Sequence, residues 1–247
     1  MANEPINEPN SVPGGVYTPS TLRLNKQIRG NAPSTVIFTS PDNYQGWNYV
    51  SSMSPTLIID AQTGLAFHHY VEPVSQEGVG SVGSGWHLAF QNIEFPPNPA
   101  TKVAERAAVQ TRFTTYSVPA GEQAGLLAEF DSYHNTPRDV AYFNSTIDNV
   151  ASALPALGLT PARTILSEFG ALGDSGPNAT PANTLGLPRT SRITLMSTVR
   201  ARCEYNGFGW GYHQWWGYAG TDMPYNAGIM DSSTNTFDAG LLAALIP

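Results

Sequence analysis

Two glutamates stand in settings that suit acid–base and nucleophilic chemistry. Glu168 follows a short apolar run (164–166) in a Ser-Glu-Phe-Gly context, which predicts a carboxylate where a buried strand gives way to a loop. Glu4 lies in Asn-Glu-Pro, close to the first residue. Two carboxyl groups can share one reaction, because one protonates a leaving oxygen while the other attacks or activates water. This pair is the candidate chemistry of the chain.

Other predicted strand ends carry histidine and flat aromatic side chains. These are His68 and Tyr70, then Asn43, Tyr44 and Trp47, and an aromatic cluster that runs from Trp210 to Trp216. Aromatic faces of this kind can stack on pyranose rings. Each residue alone also fits an ordinary core or loop position, and a glutamate after an apolar run is often a solvated strand end. Their joint order along the chain is what favours carbohydrate chemistry.

The elements that must position these residues alternate between strand, loop and helix. The patterns predict strands over 35–39, 57–59, 65–67, 164–168 and 207–218, and helices over 18–30, 98–110, 136–154, 188–205 and 238–246. Thr18 and Thr136 are the expected N-caps of two helices. Residues 72–97 are expected to be loop with a hairpin, and 111–135 are ambiguous. This alternation predicts a parallel α/β fold, in which chemistry gathers at the C-terminal strand ends.

Composition argues against several classes of partner. The net charge is -7 with only 12 Lys and Arg in 247 residues, which argues against nucleic acid as a partner. No apolar stretch approaches the roughly 18 residues of a membrane span, and no signal peptide is visible. The single cysteine, Cys203, excludes an internal disulfide and a cysteine-based zinc site, and we expect it in the core.

Taken in order, these residues resemble the C-terminal half of a cellulase-type enzyme of glycoside hydrolase family five, a (β/α)8 barrel. The resemblance implies an α/β fold: an incomplete TIM (β/α)8 barrel, comprising strands four or five to eight with their helices and loop insertions. It implies one partial catalytic domain over 1–247, with an insertion region over 72–135. Because no strand is visible before Glu4, we expect that the beginning of the barrel is missing.

The resemblance also implies roles for individual residues. Glu4 would be the acid/base, with Glu8 in a second Asn-Glu-Pro as a rival, and Glu168 the nucleophile. Together with the aromatic clusters, it predicts a substrate-binding set made of Asn3, His68, Tyr70, Trp47, Trp210, Trp215 and Trp216. No metal and no cofactor are implied.

The function implied is that of a retaining, endoglucanase-like glycoside hydrolase. It would cleave β-1,4-linked polysaccharide by double displacement through a glycosyl-enzyme, with the two carboxyl groups roughly 5–5.5 Å apart. The expected partner is a polysaccharide substrate, with no nucleic acid, membrane or obligate protein partner, and secretion is implied by the family alone. The alternatives are a truncated, inactive barrel fragment and a non-catalytic carbohydrate-binding protein.

Overall fold

The main sheet of the protein has five strands that follow one another in chain order. They are β1 (Ala2–Asn3), β2 (Val36–Thr39), β3 (Thr63–His69), β4 (Thr164–Phe169) and β5 (Gly209–Tyr212). The pairs β1/β2, β2/β3 and β3/β4 are parallel. Consecutive order is what a segment of a (β/α)8 barrel has, whereas a doubly wound sheet reverses its order at a switch point. The predicted α/β fold of an incomplete barrel is therefore confirmed.

A computed structural model describes part of the chain. The described residues are 2–4, 6–7, 9, 16–71, 73–74, 89–171, 187–213, 230–231 and 236–247. Glu8, Trp215 and Trp216 lie outside them, as does most of the predicted hairpin loop. The assignment of 72–135 as an insertion stays a prediction.

The start of the sheet differs from the sequence prediction. A strand does precede Glu4, because Ala2 and Asn3 pair in register with Val36 and Ile37. Two residues have little strand propensity of their own, so this pairing depends on the neighbouring strand. Glu4 therefore follows a strand directly, as Glu168 lies near the end of one.

The connection between β2 and β3 contains the clearest error of the sequence prediction. Residues 57–59 were expected to form a strand, but Pro55–Leu57 forms a 3-10 turn and the next two residues join no sheet. Ser54 caps this turn by accepting a hydrogen bond from the Thr56 amide at 3.4 Å. Leu57 is buried all the same, and its carbonyl accepts a hydrogen bond from Asn25. The apolar run predicted the burial of Leu57 but not the type of element.

The described residues form six helices, of which five were predicted, and those five differ from the predictions at their ends. They are α1 (Tyr17–Asn31), α2 (Lys102–Thr115), α3 (Ala120–Asn135), α4 (Val140–Ala153), α5 (Arg189–Asn206) and α6 (Ala239–Leu245). The predicted caps Thr18 and Thr136 are wrong. Helix α1 begins before Thr18, where the Tyr17 hydroxyl donates to the Ser40 carbonyl at 2.7 Å. At α4 the cap is Asp139, whose carboxylate accepts from the Tyr142 amide at 3.0 Å.

The apolar face predicted for α4 is buried, which confirms the helical period. Phe143, Ile147 and Val150 are each at most 1% exposed, whereas Val140, at the first turn, is 36% exposed. Residues left ambiguous over 111–135 continue α2 and then form α3. Ser117, with φ of 50°, makes the turn between these two helices. The strand predicted over 207–218 is present as β5 (Gly209–Tyr212), and residues 214–218 lie outside the described residues.

The chain divides into two compact units. The first comprises Met1–His69, Asn144–Phe169 and Ala201–Gly211, and it holds most of the five-stranded sheet. Its core consists of strand and helix residues that include Ile37, Leu65, Phe67, Ile147, Leu166 and Cys203. Burial raises the pKa of the Cys203 thiol to about 12, so this thiol is an inert core side chain, as predicted.

The second unit comprises Tyr70–Phe143, Gly170–Arg200 and Tyr212–Pro247. Helices α2 and α3 pack through the buried side chains Val109, Phe113, Phe130 and Tyr133. A two-stranded antiparallel pair, β6 (Met230–Asp231) with β7 (Thr236–Phe237), precedes α6. Among the described residues, no helix is both long enough and apolar enough to cross a membrane.

Candidate active site

The candidate site is built from the C-terminal ends of four neighbouring strands. Glu4 follows β1, Gln45 lies in the loop after β2, His68 is near the end of β3, and Glu168 is near the end of β4. Parallel strands bring their C-terminal ends to one edge of a sheet, which is why residues so distant in sequence meet here. The structure thus brings together the three predicted residues Glu4, His68 and Glu168.

A β-bulge sets the position of Glu168. The register of β3 and β4 pairs Phe67 with Leu166 and then His68 with Glu168, so Ser167 is an extra residue on β4. A bulge re-aims the side chains that follow it. Here it sets Glu168 opposite His68, and the distance from His68 Nδ1 to Glu168 Oε2 is 3.6 Å.

The bulge requires a glycine on the next strand. A Cβ atom on Gly211 of β5 would lie 2.9 Å from the backbone oxygen of Ser167, closer than side chains tolerate. The close approach of β5 to the bulge therefore depends on the missing side chain.

Glu4 is the half-buried carboxyl of the site. Its pKa is raised, first because burial disfavours the charged form, and also because the negative charge of Glu168 opposes ionisation. A hydrogen bond from Gln45 Nε2 to Glu4 Oε1 and the charge of His68 act in the opposite direction. The balance keeps the proton on Glu4 to a higher pH than usual, which suits a general acid.

Gln45 is the residue of this site that sequence reasoning missed. The loop was expected to contribute Asn43, Tyr44 and Trp47, whereas Gln45 is 0% exposed and donates to Glu4. A glutamine in a polar loop has no sequence signal for this role, because its burial depends on the strands around it.

Trp47 lies on a core histidine. Its ring stacks on His69 with centroids 5.7 Å apart and planes at 28°. His69 is buried, and its Nε2 is 2.6 Å from the hydroxyl of Thr146 on α4. His69 therefore supports Trp47 from within the core, while the sugar-binding role of Trp47 stays a prediction.

Trp210 does not join the two glutamates. Its ring packs edge-on against Phe169, at 6.3 Å between centroids, and its Nε1 donates to Glu204 of α5 at 3.3 Å. Successive side chains of a strand point to opposite faces, so Phe169 faces away from the side of Glu168. These contacts resemble those of a residue packed between sheet and helix, and its role in substrate binding stays a prediction.

Asn3 and Tyr70, two further predicted site residues, lie at the ends of β1 and β3. Asn3 is in β1, opposite Ile37. Tyr70 comes directly after β3 and is half-buried. Glu8, Trp215 and Trp216 lie outside the described residues. Within the described part of the chain, no group of three or more His, Cys, Asp or Glu side chains could hold a metal ion.

The buried His69 gives a testable dependence of stability on pH. Burial lowers its pKa to about 4 in the folded protein, against about 6.5 when exposed. Its contribution to stability is therefore complete above about pH 6.5 and is lost as the pH falls towards about 4. The difference between the two pKa values corresponds to about 3 kcal/mol. Urea unfolding at about pH 7.5 and about pH 4.5 should show this loss in the wild type and a smaller loss in His69→Phe.

The control for this experiment is His213→Gln, which removes an exposed histidine. This variant is expected to keep the wild-type dependence on pH. If His69→Phe does not fold, His69→Gln provides the same comparison with a polar group opposite Thr146. An equal loss of stability in the wild type and in the His69 variant would contradict the assignment of a neutral, buried imidazole.

Solved structures share the fold of this chain. They include the cellulose synthase subunit Z of Clostridioides difficile (TM-score 0.65, 19% identity, 99% of this chain and 60% of that one). A second is endoglucanase Cel5A of Thermotoga maritima with cellobiose (TM-score 0.60, 15% identity, 99% of this chain and 59% of that one). A third is a family 5 xyloglucanase of Paenibacillus pabuli (TM-score 0.58, 14% identity, 99% of this chain and 60% of that one). No protein-family model and no curated protein matches the sequence.

The extent of these matches agrees with the five-stranded sheet. The chain aligns over nearly its whole length but spans only about three fifths of each of these structures. Part of a barrel is what a sheet of five consecutive strands provides. The chain therefore has the fold of the cellulase-type barrels of glycoside hydrolase family five, over the part of the barrel that its sheet represents.

Proposed function

We propose that this chain carries the catalytic carboxyl pair of a retaining glycoside hydrolase that cleaves β-1,4-linked polysaccharide in the manner of an endoglucanase. The proposal rests above all on the chain of contacts that joins Glu4 to Glu168 at one edge of the sheet. Gln45 donates to Glu4 with its side chain and accepts from the His68 amide with its carbonyl, and the His68 imidazole lies 3.6 Å from Glu168. The fold shared with endoglucanases supports it. So do the ligands of one of those neighbours, since Cel5A of Thermotoga maritima is described with cellobiose and with mannotriose.

The first step of the proposed reaction forms a glycosyl-enzyme. A carboxylate oxygen of Glu168 attacks the anomeric carbon as the bond to the leaving oxygen breaks. Glu4 gives its proton to that oxygen, so the leaving chain departs as a neutral alcohol. His68, which lies beside Glu168, is suited to hold the nucleophile in position.

The second step releases the sugar, and in this step Glu4 acts as a base. Once Glu168 is esterified it has no negative charge, so the part of the rise in the pKa of Glu4 that this charge causes disappears, while the larger part caused by burial remains. Glu4 becomes a stronger acid and so persists as the carboxylate, ready to act as a base. It takes a proton from water, whose oxygen attacks the anomeric carbon and displaces Glu168.

The direct test is hydrolysis of defined polysaccharides. We expect the chain to release reducing ends from carboxymethylcellulose or mixed-linkage β-glucan, with Glu168→Gln as the matched inactive control. The first product should have the β configuration in proton NMR, since two displacements restore the starting stereochemistry. Binding of β-glucan in affinity electrophoresis without release above the Glu168→Gln background would contradict the proposal and favour a carbohydrate-binding protein. Release of an α product would contradict the retaining mechanism.

A further inference from the structure

The loop after β2 contains an unusual backbone turn next to the carboxyl pair. Asn43, Tyr44 and Gln45 have φ of 57°, 59° and 57°, so three successive residues other than glycine are left-handed. In this conformation the Cβ atom of a residue other than glycine lies too close to the following carbonyl oxygen, so the backbone is strained. It persists only where surrounding contacts determine it, and such strain clusters at functional sites. We call residues 43–45 the left-handed turn.

Contacts on both sides hold the left-handed turn. The Asn43 amide donates to the Asp42 carboxylate at 2.6 Å, and the Tyr44 amide donates to the Pro9 carbonyl at 2.9 Å. The Gln45 carbonyl accepts from the His68 amide at 2.8 Å. The turn is thus bonded both to the segment that follows Glu4 and to the end of β3.

The side chain of Gln45 joins the same two parts of the site. It is 0% exposed, and its Nε2 donates to Oε1 of Glu4, 41 residues away in sequence. Its own backbone is fixed to His68, whose imidazole lies 3.6 Å from Glu168. Gln45 therefore contacts Glu4 with its side chain and β3, at His68, with its backbone.

We propose that Gln45 is a positioning residue for the acid/base carboxyl: the left-handed turn aims its amide at Oε1 of Glu4 and so leaves Oε2 to carry the transferred proton. An N–H donor directed at one carboxyl oxygen stabilises the carboxylate and disfavours protonation of that same oxygen. Rotation of the carboxyl is restricted as well, since the Gln45 side chain is buried and its backbone is bonded to His68. The catalytic consequence of this role rests on the proposed function of Glu4.

The other charged groups near Glu4 stay in place when Gln45 is changed. His68 on β3 and Glu168 on β4 act directly on the pKa of Glu4. Tyr17, at the start of α1, has a raised pKa, mainly through burial and in smaller part through the charges of Asp42 and Glu4. A variant at position 45 therefore removes the hydrogen bond to Glu4 without adding or removing a charge.

The test is a direct titration of Glu4, which needs no turnover. The chain is labelled with glutamate carrying ¹³C in the side-chain carboxyl, and Glu4→Gln identifies the Glu4 signal. Loss of the hydrogen bond in Gln45→Met is expected to shift the midpoint of this titration to higher pH, because the carboxylate loses its donor. Gln27→Met, at an exposed position of α1, is the matched control and should leave the midpoint unchanged.

Two further readouts complete the experiment. In the wild type, the chemical shift of the Gln45 side-chain amide protons should change with pH at the same midpoint as the Glu4 signal. This readout can be measured even if Gln45→Met does not fold. In turnover, Gln45→Met should move the basic limb of the kcat/KM profile to higher pH and leave the acid limb in place. The role of Gln45 would be overturned if the midpoint of the Glu4 titration were unchanged or lowered in folded Gln45→Met. It would also be overturned if the Gln45 amide shifts did not change at the Glu4 midpoint. An inactive chain in which the Glu4 midpoint still rises would instead contradict the proposed function and leave the role of Gln45 standing.

Discussion

Replacing Glu168 by glutamine is expected to lower kcat on an aryl β-cellobioside by at least about 10³-fold, as loss of a catalytic nucleophile does in other enzymes. The physical reason is that an amide cannot attack the anomeric carbon, so no glycosyl-enzyme forms. The measurement is release of the aryl group under saturating substrate. Glu122→Gln, which changes an exposed glutamate at the start of α3, should retain wild-type kcat.

Azide distinguishes a missing nucleophile from a distorted site. In Glu168→Ala the removed carboxyl leaves room for this small anion, which can attack the anomeric carbon from the face that Glu168 occupied. We expect partial recovery of the rate and an α-glycosyl azide as product. Wild-type kcat in Glu168→Gln, or a β-glycosyl azide from Glu168→Ala, would contradict the assignment of Glu168 as nucleophile.

Replacing Glu4 by alanine is expected to slow hydrolysis of β-glucan by about 10²- to 10⁴-fold, the usual contribution of a general acid. The loss should depend on the leaving group. A dinitrophenolate leaves without a proton, so formation of the glycosyl-enzyme from a dinitrophenyl β-cellobioside should stay close to the wild-type rate. The measurement compares the rate of the burst on this substrate with the steady-state rate on β-glucan. The basic limb of the kcat/KM profile should disappear in the variant, because it reports loss of the Glu4 proton.

The rival glutamate provides the control for Glu4. Glu8 lies in the second Asn-Glu-Pro, and Glu8→Ala should keep most of the activity on β-glucan. With azide, Glu4→Ala should yield a β-glycosyl azide, because the anion then attacks the glycosyl-enzyme from the side of the leaving group. If Glu8→Ala shows the loss that depends on the leaving group and Glu4→Ala does not, Glu8 is the acid/base.

Local sequence patterns were sufficient to predict most elements of this fold. The apolar run before Glu168 predicted β4, and a period of 3.6 residues predicted the buried face of α4. Asp238 began the last predicted helix, and its carboxylate does accept from the amides of Gly240 and Leu241. These signals depend on neighbours within about one turn of chain, so they are present in the sequence itself.

Hydrophobic periodicity failed to predict the type of one segment and the first residues of two helices. In the apolar run 57–59 Leu57 is buried and the next two residues are half-buried, but Pro55 and the Ser54 cap make a 3-10 turn there. Helix α1 begins at Tyr17, one residue before the predicted cap, and α4 begins after Asp139, whose carboxylate caps it. Hydrophobicity reports burial, and it does not by itself choose between a strand and a turn.

The residues that could do chemistry can be recognised from the sequence: two glutamates near strand ends, with histidine and aromatic residues in a fixed order. How these residues meet depends on the folded chain. The bulge at Ser167 sets Glu168 opposite His68, and the left-handed turn brings Gln45 to Glu4. The physical reason is that register and backbone handedness come from pairing between strands far apart in sequence. No local pattern encodes the amide that holds Glu4.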